Sequence, residues 1–433
     1  MTVSDLSSGL SNSAVGAWWK SDRSAAWRGM PGVIGTYSIG RLLLILIPLG
    51  LVFYPGGTLV GNDMHLYWSW SEVLSSGHYP MNDPMWQYPP LAAFVFFLGA
   101  HLPGGASIGF ITLALLVDLA IFYAVLRVGR SRGSLAGAWV YAWGGLLVGP
   151  VLLTRFDLFP TLFAVLALLC LSKPVRGGIM LGIGALLKVW PAFLIVSFSR
   201  RQLPKVFAAM VAIVAVVGAM LVSWGPGAGT FLSGQGARGL QIESVGAAPY
   251  VLASWFGYDL PTVFRYGSLE IDATGAGLIA SIVALAGFVA MGWVAYLRLR
   301  GKLERVSGAD IALVLVLISI ASSRVFSPQY MVWVLGIAAV CAIDPKSTVR
   351  PIIWLLGGVA LCGQLIYPFF YGAMMDGSWE GVLTQVTRIA LLLIATVWAI
   401  VKVLRAAKEE SKPRVETGVI SGVTTDSGRD LVS

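Results

Sequence analysis

Long apolar segments separated by short polar breaks run through almost the whole chain of 433 residues. Segments near 20 residues can cross a hydrocarbon core of about 30 Å as helices, and they lack the strict alternation of barrel strands. The pattern predicts an all-α, multi-pass integral membrane protein with about 12 transmembrane helices. The predicted spans are 33–53, 108–126, 135–152, 158–171, 177–187, 189–198, 206–224, 276–297, 311–320, 332–343, 352–367 and 389–404.

Three short segments add half-membrane elements to this bundle. Residues 91–100 are apolar but too short to cross, and they are expected to form a half-membrane or re-entrant helix. Segments 177–187 and 189–198 flank Lys188, so we expect a hairpin that dips into the bilayer with this ammonium group at its tip. An interfacial helix is expected over residues 64–75.

Basic residues gather at alternate ends of the apolar segments, and short cytoplasmic loops carry such an excess. This rule places both termini in the cytoplasm, as a tail at 1–32 and a polar, disordered tail at 406–433, around a membrane domain at 33–405. The predicted outer loops are 54–90, 225–272 and 369–385.

Composition supports the membrane class and excludes others. Only 12% of the residues are charged and 57% are hydrophobic, whereas soluble domains carry roughly a quarter charged residues. The net charge of +9 fits basic flanks that contact anionic membrane lipids, so no nucleic acid partner is expected. Neither the three cysteines nor the three histidines show metal-ligand spacing, so no metal site is predicted.

The first outer loop is the strongest candidate for chemistry. Its carboxylates are Asp63, Glu72 and Asp83, and it contains no Lys or Arg. Asp63 follows the first span closely, which places a carboxylate near the outer surface of the bilayer. A structural alternative is that Asp63 only caps the helix at 64–75, while Glu72 and Asp83 are expected to be solvated. Most aromatic residues of this loop are expected in the interfacial belt.

Four ionisable residues are expected at membrane depth on the same outer side: Arg155, Asp157, Lys188 and Arg324. Such residues cost about 2.5 to 3.5 kcal/mol at the bilayer centre and are therefore functional candidates. The three cations would suit a lipid phosphate. In the alternative interpretations, Lys188 and Arg324 only reach toward headgroups, and Arg155 pairs with Asp157 through a non-helical turn. Asp118, in the middle of a span, has no assigned role.

Five short motifs in a fixed order resemble glycosyltransferase family 87, within the GT-C superfamily. They extend from about residue 60 to 335 and cover most of the membrane domain. The motifs are Asn62-Asp63 with Tyr67, Gly77-His78-Tyr79-Pro80, Trp86-Gln87-Tyr88-Pro89-Pro90, Leu187-Lys188-Val189-Trp190-Pro191 and Phe326-Ser327-Pro328-Gln329-Tyr330.

The resemblance implies a GT-C-like helical bundle in the plasma membrane that transfers a sugar, mostly mannose, from a polyprenyl-phosphate carrier. The acceptor would be an envelope glycolipid, glycan or protein at the outer face. Asp63 matches the position of the family's general base, and the expected phosphate-binding residues are Lys188, Arg324, Arg155 and Arg238. The expected substrate-binding residues are Asn62, His65, Tyr67, Tyr88, Asp157, Gln329 and Tyr330.

The expected reaction needs no metal or cofactor, because a lipid phosphate is already a competent leaving group. A single carboxylate base with one displacement step predicts inversion at the anomeric carbon. The chain departs from the phosphatidylinositol-mannoside branch of the family at Arg155-Phe156-Asp157, which leaves the sugar and the acceptor open. No protein partner is identified.

A secondary transporter or lipid flippase is the alternative function. Broken short helices and charges at membrane depth also describe those proteins. Related halves, which are usual in transporters, are not visible in this sequence.

Overall fold

The computed structural model describes residues 29–231 and 238–409, so most of both predicted tails lies outside the described residues. The helices of the first half are α1 (Met30–Leu46), α2 (Gly57–Val60), α3 (Asn62–Ser75), α4 (Leu91–His101), α5 (Ala106–Ser131), α6 (Ala136–Val148), α7 (Val151–Thr154), α8 (Leu158–Leu169), α9 (Pro174–Leu187), a 3-10 helix (Trp190–Ser197) and α10 (Leu203–Trp224).

The second half begins with short elements and ends in long helices. It contains a 3-10 turn (Val245–Ala247), α11 (Ala248–Ser254), strands β1 (Thr262–Arg265) and β2 (Ser268–Ile271), α12 (Ala276–Leu299), α13 (Gly308–Ala321), α14 (Tyr330–Ile343), a 3-10 turn (Arg350–Ile352), α15 (Ile353–Gln364), a π-helical turn (Leu365–Phe370), α16 (Tyr371–Met375) and α17 (Trp379–Glu409).

Helix length supports the membrane class but not the predicted number of spans. Five apolar helices in the described residues are long enough to cross a bilayer. They are α5, α10, α12, α17 and the continuous helical run Arg350–Met375, which combines a 3-10 turn, α15, the π-helical turn and α16. The other predicted spans correspond to helices of 10 to 17 residues or, at Trp190–Ser197, to a 3-10 helix. Breaks at polar and proline positions shorten these elements, because proline removes a helical hydrogen bond.

The basic helix ends predicted for one side meet in the structure, at what we call the basic face. Arg132 Nη1 donates to the carbonyl of Ile343 at 3.3 Å, which joins the ends of α5 and α14. The backbone N–H of Arg200 donates to Glu304 at 2.9 Å. These contacts gather the ends of α5, α12 and α14 and the connection before α10 at a single face.

The loop face lies at the other end of the helices and includes α3 and the segments 238–247 and 322–328. α10 starts near the basic face, where Gln202 donates to Leu171, and ends at Trp224 on the loop face. There Gly225 lies so close to Gly77 that a Cβ would collide with the Gly77 carbonyl oxygen.

Helix α4 lies at the loop face, and its half-membrane placement stays a prediction. It follows Tyr88, whose ring lies 5.2 Å from that of Phe156 beside α8. Near its other end, the Phe97 ring lies 6.0 Å from Trp224. With 11 residues it is about 16 Å long, which is too short to cross.

A buried ion pair inside the bundle explains Asp118. Arg41 Nε lies 2.9 Å from Asp118 Oδ2, and both side chains are almost fully buried. Tyr37 and Tyr141 donate to the same carboxylate at 2.6 and 2.8 Å, so the charge has four hydrogen-bonding contacts when the second guanidinium contact is included. Gly145 leaves room for the guanidinium group, since a Cβ there would collide with it.

Two expectations for the first outer loop are wrong. Tyr67, Trp70 and Trp86 are buried in an aromatic cluster with Phe96 of α4 and do not lie in an interfacial belt. Asp83 is not a freely solvated loop residue, because it is half-buried and accepts hydrogen bonds from Trp70 Nε1 at 2.7 Å and the Met85 N–H at 2.8 Å. Packing of α3 on α4 covers this cluster.

The remaining outer loops contain more regular structure than expected. Strands β1 and β2 pair antiparallel within the predicted loop 225–272. Part of the predicted loop 369–385 is helical, because α16 and the first residues of α17 lie in it. α17 continues to Glu409, four residues beyond the predicted end of the membrane domain at 405.

Removal of one partner of the Arg41–Asp118 pair should leave an uncompensated buried charge. We expect Asp118→Ala to lower the free energy of unfolding by about 3–5 kcal/mol, measured by thermal unfolding in detergent. The double variant Arg41→Met/Asp118→Leu should recover part of this loss. Equal stability of Asp118→Ala and the unmodified protein would contradict a stabilising pair.

Candidate active site

A break between α7 and α8 positions two of the predicted charged residues. α7 ends at Thr154, Arg155 is extended with φ −118 and ψ 153, and Asp157 is the N-cap residue of α8. The predicted non-helical turn is therefore present, but the two side chains do not pair with each other. Each one forms an ion pair with a residue from another element.

Arg155 pairs with Asp63 of α3. Arg155 Nη1 lies 2.5 Å from Asp63 Oδ1, and Nη2 donates to the Tyr367 hydroxyl at 3.3 Å. The Asp63 side chain is 32% exposed, whereas Arg155 is 7% exposed. Asp63 lies in the first turn of α3, whose N-cap is Gly61 without a side-chain cap bond, so the capping alternative is wrong.

Asp157 pairs with Lys188 at the predicted break between α9 and the following 3-10 helix. Lys188 Nζ lies 2.7 Å from Asp157 Oδ1, and Trp333 Nε1 donates to the same oxygen at 2.5 Å. Asp157 is 1% exposed and Lys188 is 21% exposed. Lys188 thus points to a buried carboxylate, which disfavours a role only as a headgroup anchor.

Aromatic rings surround the Lys188 ammonium group. Its nitrogen lies 5.0 Å from the Trp333 ring centroid, 5.4 Å from Tyr330 and 5.9 Å from Tyr88. Trp333 stacks on Tyr330 at 4.1 Å and on Trp190 at 5.0 Å. The rings attract the cation and limit its movement.

Tyr67 and Tyr88 complete the wall between the two ion pairs. Their ring centroids are 6.5 Å apart in an edge-on arrangement. Burial raises the pKa of Tyr88 to about 12, although the neighbouring Lys188 opposes the shift. Tyr88 is therefore neutral at physiological pH and can donate a hydrogen bond.

We call Asp63, Arg155, Asp157 and Lys188 the charged cluster, and Arg238 with Arg324 the arginine pair. Arg324 Nη1 donates to the Arg238 carbonyl at 2.7 Å, and its Nη2 donates to Ser281 Oγ at 3.3 Å. Arg238 Nη2 donates to the Tyr266 carbonyl at 3.1 Å. Among the described residues, neither arginine has a carboxylate within 4.0 Å.

The segment around Gln241 and Glu243 connects the arginine pair to the cluster. The Gln241 N–H donates to the Arg324 carbonyl at 2.9 Å, and Gln241 Oε1 accepts from the Phe326 N–H at 2.7 Å. Two residues on, burial raises the pKa of Glu243, while Arg388 and, more weakly, Arg155 lower it. Glu243 therefore interacts electrostatically with Arg155 of the charged cluster.

Arg388 of α17 holds this segment in place. It was not among the site residues predicted from the sequence. Its Nη1 lies 2.6 Å from Glu243 Oε2, and the arginine is fully buried. Arg388 also donates to the Phe326 carbonyl, and Gln385 donates to the Glu243 carbonyl at 2.6 Å. The available signal was a lone arginine at the end of the last apolar segment opposite the basic cluster.

Several predicted site residues lie outside these contacts. Asn62 and His65 are exposed on α3, and Gln329 accepts a hydrogen bond from Ser327 at the start of α14. Their substrate-binding roles stay predictions. Within the described ranges, no group of three or more His, Cys, Asp or Glu residues could hold a metal ion.

Comparison with known proteins decides the family. The sequence model of glycosyltransferase family 87 matches residues 86–328, more than half of the chain. This chain belongs to glycosyltransferase family 87. The match includes the motif around Lys188 and the arginine pair but begins after Asp63. Neither the curated proteins nor the solved structures gave a match. Family membership supports an enzyme over the transporter or flippase alternative.

The Lys188–Asp157 pair predicts a specific pattern of stability. Lys188→Met should lower the free energy of unfolding by about 3–5 kcal/mol, because it leaves Asp157 buried and unpaired. The double variant Asp157→Asn/Lys188→Met should be more stable than Lys188→Met alone in thermal unfolding. If the loss of stability in the double variant equals the sum of the losses in Lys188→Met and Asp157→Asn, coupling between these side chains is excluded.

Proposed function

We propose that this glycosyltransferase moves mannose from a polyprenyl-phosphate carrier to a hydroxyl of an envelope glycolipid, glycan or protein, with Asp63 as the general base. The resemblance of the motifs to the family supports the choice of donor and sugar. The observation that carries the catalytic proposal is the partly exposed Asp63 carboxylate, which Arg155 holds at 2.5 Å beside a second ion pair.

The geometry around Asp63 supports its role as the general base. Arg155 binds Oδ1 and orients the carboxylate, which leaves Oδ2 for the hydroxyl of the acceptor. A base must come within hydrogen-bond reach of the proton it removes, and the exposed side of Asp63 allows an alcohol to approach. One displacement with this single base would invert the anomeric carbon, so a β-linked mannosyl phosphate would give an α-mannoside.

The arginine pair is the better-supported phosphate site. Lys188 and Arg155 each form a close ion pair with a carboxylate, whereas Arg238 and Arg324 donate to carbonyl and hydroxyl oxygens, and Glu270 interacts with Arg238 only from beyond ion-pair distance. A lipid phosphate would supply the missing negative charge. Negative charge grows on the phosphate as the glycosidic bond breaks, and guanidinium groups stabilise it without a metal or cofactor.

The two faces support one orientation in the membrane. The basic face belongs in the cytoplasm of a plasma-membrane protein by the positive-inside rule. The loop face, with the charged cluster, then lies outside, where lipid-linked sugars and envelope acceptors meet. Both termini would be cytoplasmic.

The identity of the sugar is tested by the labelled product. Membranes that contain the protein should transfer label from polyprenyl-phosphate mannose and release the lipid phosphate. Polyprenyl-phosphate arabinose serves as the competing donor. Transfer of arabinose with no transfer of mannose would overturn the assignment of the sugar while retaining the reaction type.

Asp63→Asn should reduce sugar transfer about 10²–10⁴-fold, because the amide cannot accept the proton of the acceptor. The rate is measured with purified protein, labelled donor and extracted membrane lipids as acceptor source. Glu72→Gln is the matched control, because Glu72 is an exposed carboxylate on the same helix. Full activity of Asp63→Asn would remove the general-base assignment.

Arg324→Ala should weaken donor binding more than acceptor binding, because its guanidinium group is proposed to contact the donor phosphate. Loss of a charged hydrogen bond of about 1.5–3 kcal/mol corresponds to a rise in donor KM of roughly 10- to 150-fold. Arg127→Ala, an exposed arginine on the basic face, provides the control. An unchanged donor KM would exclude this role for Arg324.

A further inference from the structure

A cavity of about 650 Å³ lies between α12 and α17, on the basic face and away from the charged cluster. Trp293, Leu297 and Leu404 form an apolar wall, and Lys302 and Arg305 lie at the polar end. The volume is within the range of about 300–1,000 Å³ that is usual for small-molecule sites. The proposed sugar-transfer reaction uses none of these residues.

The loop that carries the cations is fixed by Arg298. This arginine is 3% exposed and donates to the carbonyls of Ser197 and Phe198, each at 2.7 Å. It also donates to the backbone carbonyl of Leu303, a residue that is itself only 1% exposed. These bonds join the loop after α12 to the 3-10 helix, so the polar end of the cavity is built before a ligand binds.

The charges at the cavity favour an anion. Lys302, Arg305 and Lys408 line it together with one carboxylate, Glu304. That carboxylate already accepts the backbone N–H of Arg200 at 2.9 Å. Arg305 and Lys408 have other interactions, so a bound anion would share these two cations with their present partners.

The apolar wall favours a lipid over a soluble anion. Both α12 and α17 are long enough to cross a membrane. In the most apolar 18 residues of each helix, only 17% of α12 and 33% of α17 are buried inside the protein. Trp293 is 56% exposed on the surface of α12. The cavity therefore continues from the polar loop onto helix surfaces that contact hydrocarbon, as a headgroup with attached acyl chains requires.

We propose that this cavity binds an anionic phospholipid of the basic-face leaflet. The phosphate contacts Lys302, Arg305 and Lys408, and the first methylene groups of the acyl chains pack on Trp293 and Leu297. Basic pockets between transmembrane helices on the cytoplasmic side are known to select such headgroups. The site is independent of the proposed transfer reaction, since it lies at the other end of the helices.

The test compares phosphatidylglycerol with phosphatidylcholine, added to the delipidated full-length protein in a neutral maltoside detergent. Native mass spectrometry gives the apparent affinity for each lipid. The unmodified protein should prefer phosphatidylglycerol. Lys302→Gln/Arg305→Gln should lower that affinity about 25-fold, since each basic residue contributes about 1 kcal/mol.

Arg127→Gln/Arg130→Gln is the matched control, because it removes two exposed charges of the same face at the end of α5. It should leave the affinity within about twofold of the unmodified protein, and both double variants should unfold at similar temperatures. Equal losses in the two variants, or equal binding of the two lipids, would overturn the proposal.

Two further arms identify the source of the anion. Soluble glycerol phosphate at the same concentration should not displace the lipid, because it lacks the chains that contact Trp293. Displacement by glycerol phosphate would assign the cavity to a soluble anion. Displacement by a synthetic peptide of residues 410–433 would assign it to the C-terminal segment of the chain. Either result would overturn the lipid proposal.

Discussion

Lys188 and Asp157 meet where two short helices are broken, and the arrangement of the candidate site depends on this buried ion pair. A carboxylate that is 1% exposed is stable only with a cation and hydrogen-bond donors beside it, and Lys188 and Trp333 supply them. The pair fixes α8, α9 and α14 relative to one another. Because Arg155 is two residues from Asp157, the same break brings it to Asp63.

Non-helical backbone within a membrane is stable only where its hydrogen-bonding groups are satisfied. Groups freed from helical hydrogen bonds must be buried in protein or line a polar cavity, because hydrocarbon cannot satisfy them. The breaks at Arg155 and Lys188 meet that condition by lying side by side, with aromatic rings packed around them. Short helices that cannot cross a membrane alone are thus combined around one site on the loop face.

The charged cluster and the arginine pair differ in the partners of their charged side chains. The charged cluster is internally neutral and holds the partly exposed carboxylate Asp63, whereas the arginine pair has no carboxylate within 4.0 Å among the described residues. Glu270 interacts with Arg238 only at longer range. Arg388, through Glu243, ties the segment between these groups to the long helix α17. In the proposed function, the arginine pair binds the anionic donor and Asp63 activates the acceptor alcohol.

The sequence by itself determined the membrane class, the helix breaks at Arg155 and Lys188, and the first outer loop as the candidate site, because hydrophobic runs and charge depletion are local patterns. The role of Asp63 as the candidate base came from the family resemblance. Only the tertiary structure decided the partners: Arg155 with Asp63, Asp157 with Lys188, and Arg388 with Glu243. Packing also decided the lengths of the helices and the burial of the aromatic residues in the first outer loop. Pairing across 31 to 145 residues depends on which helices adjoin, and no local pattern encodes that choice.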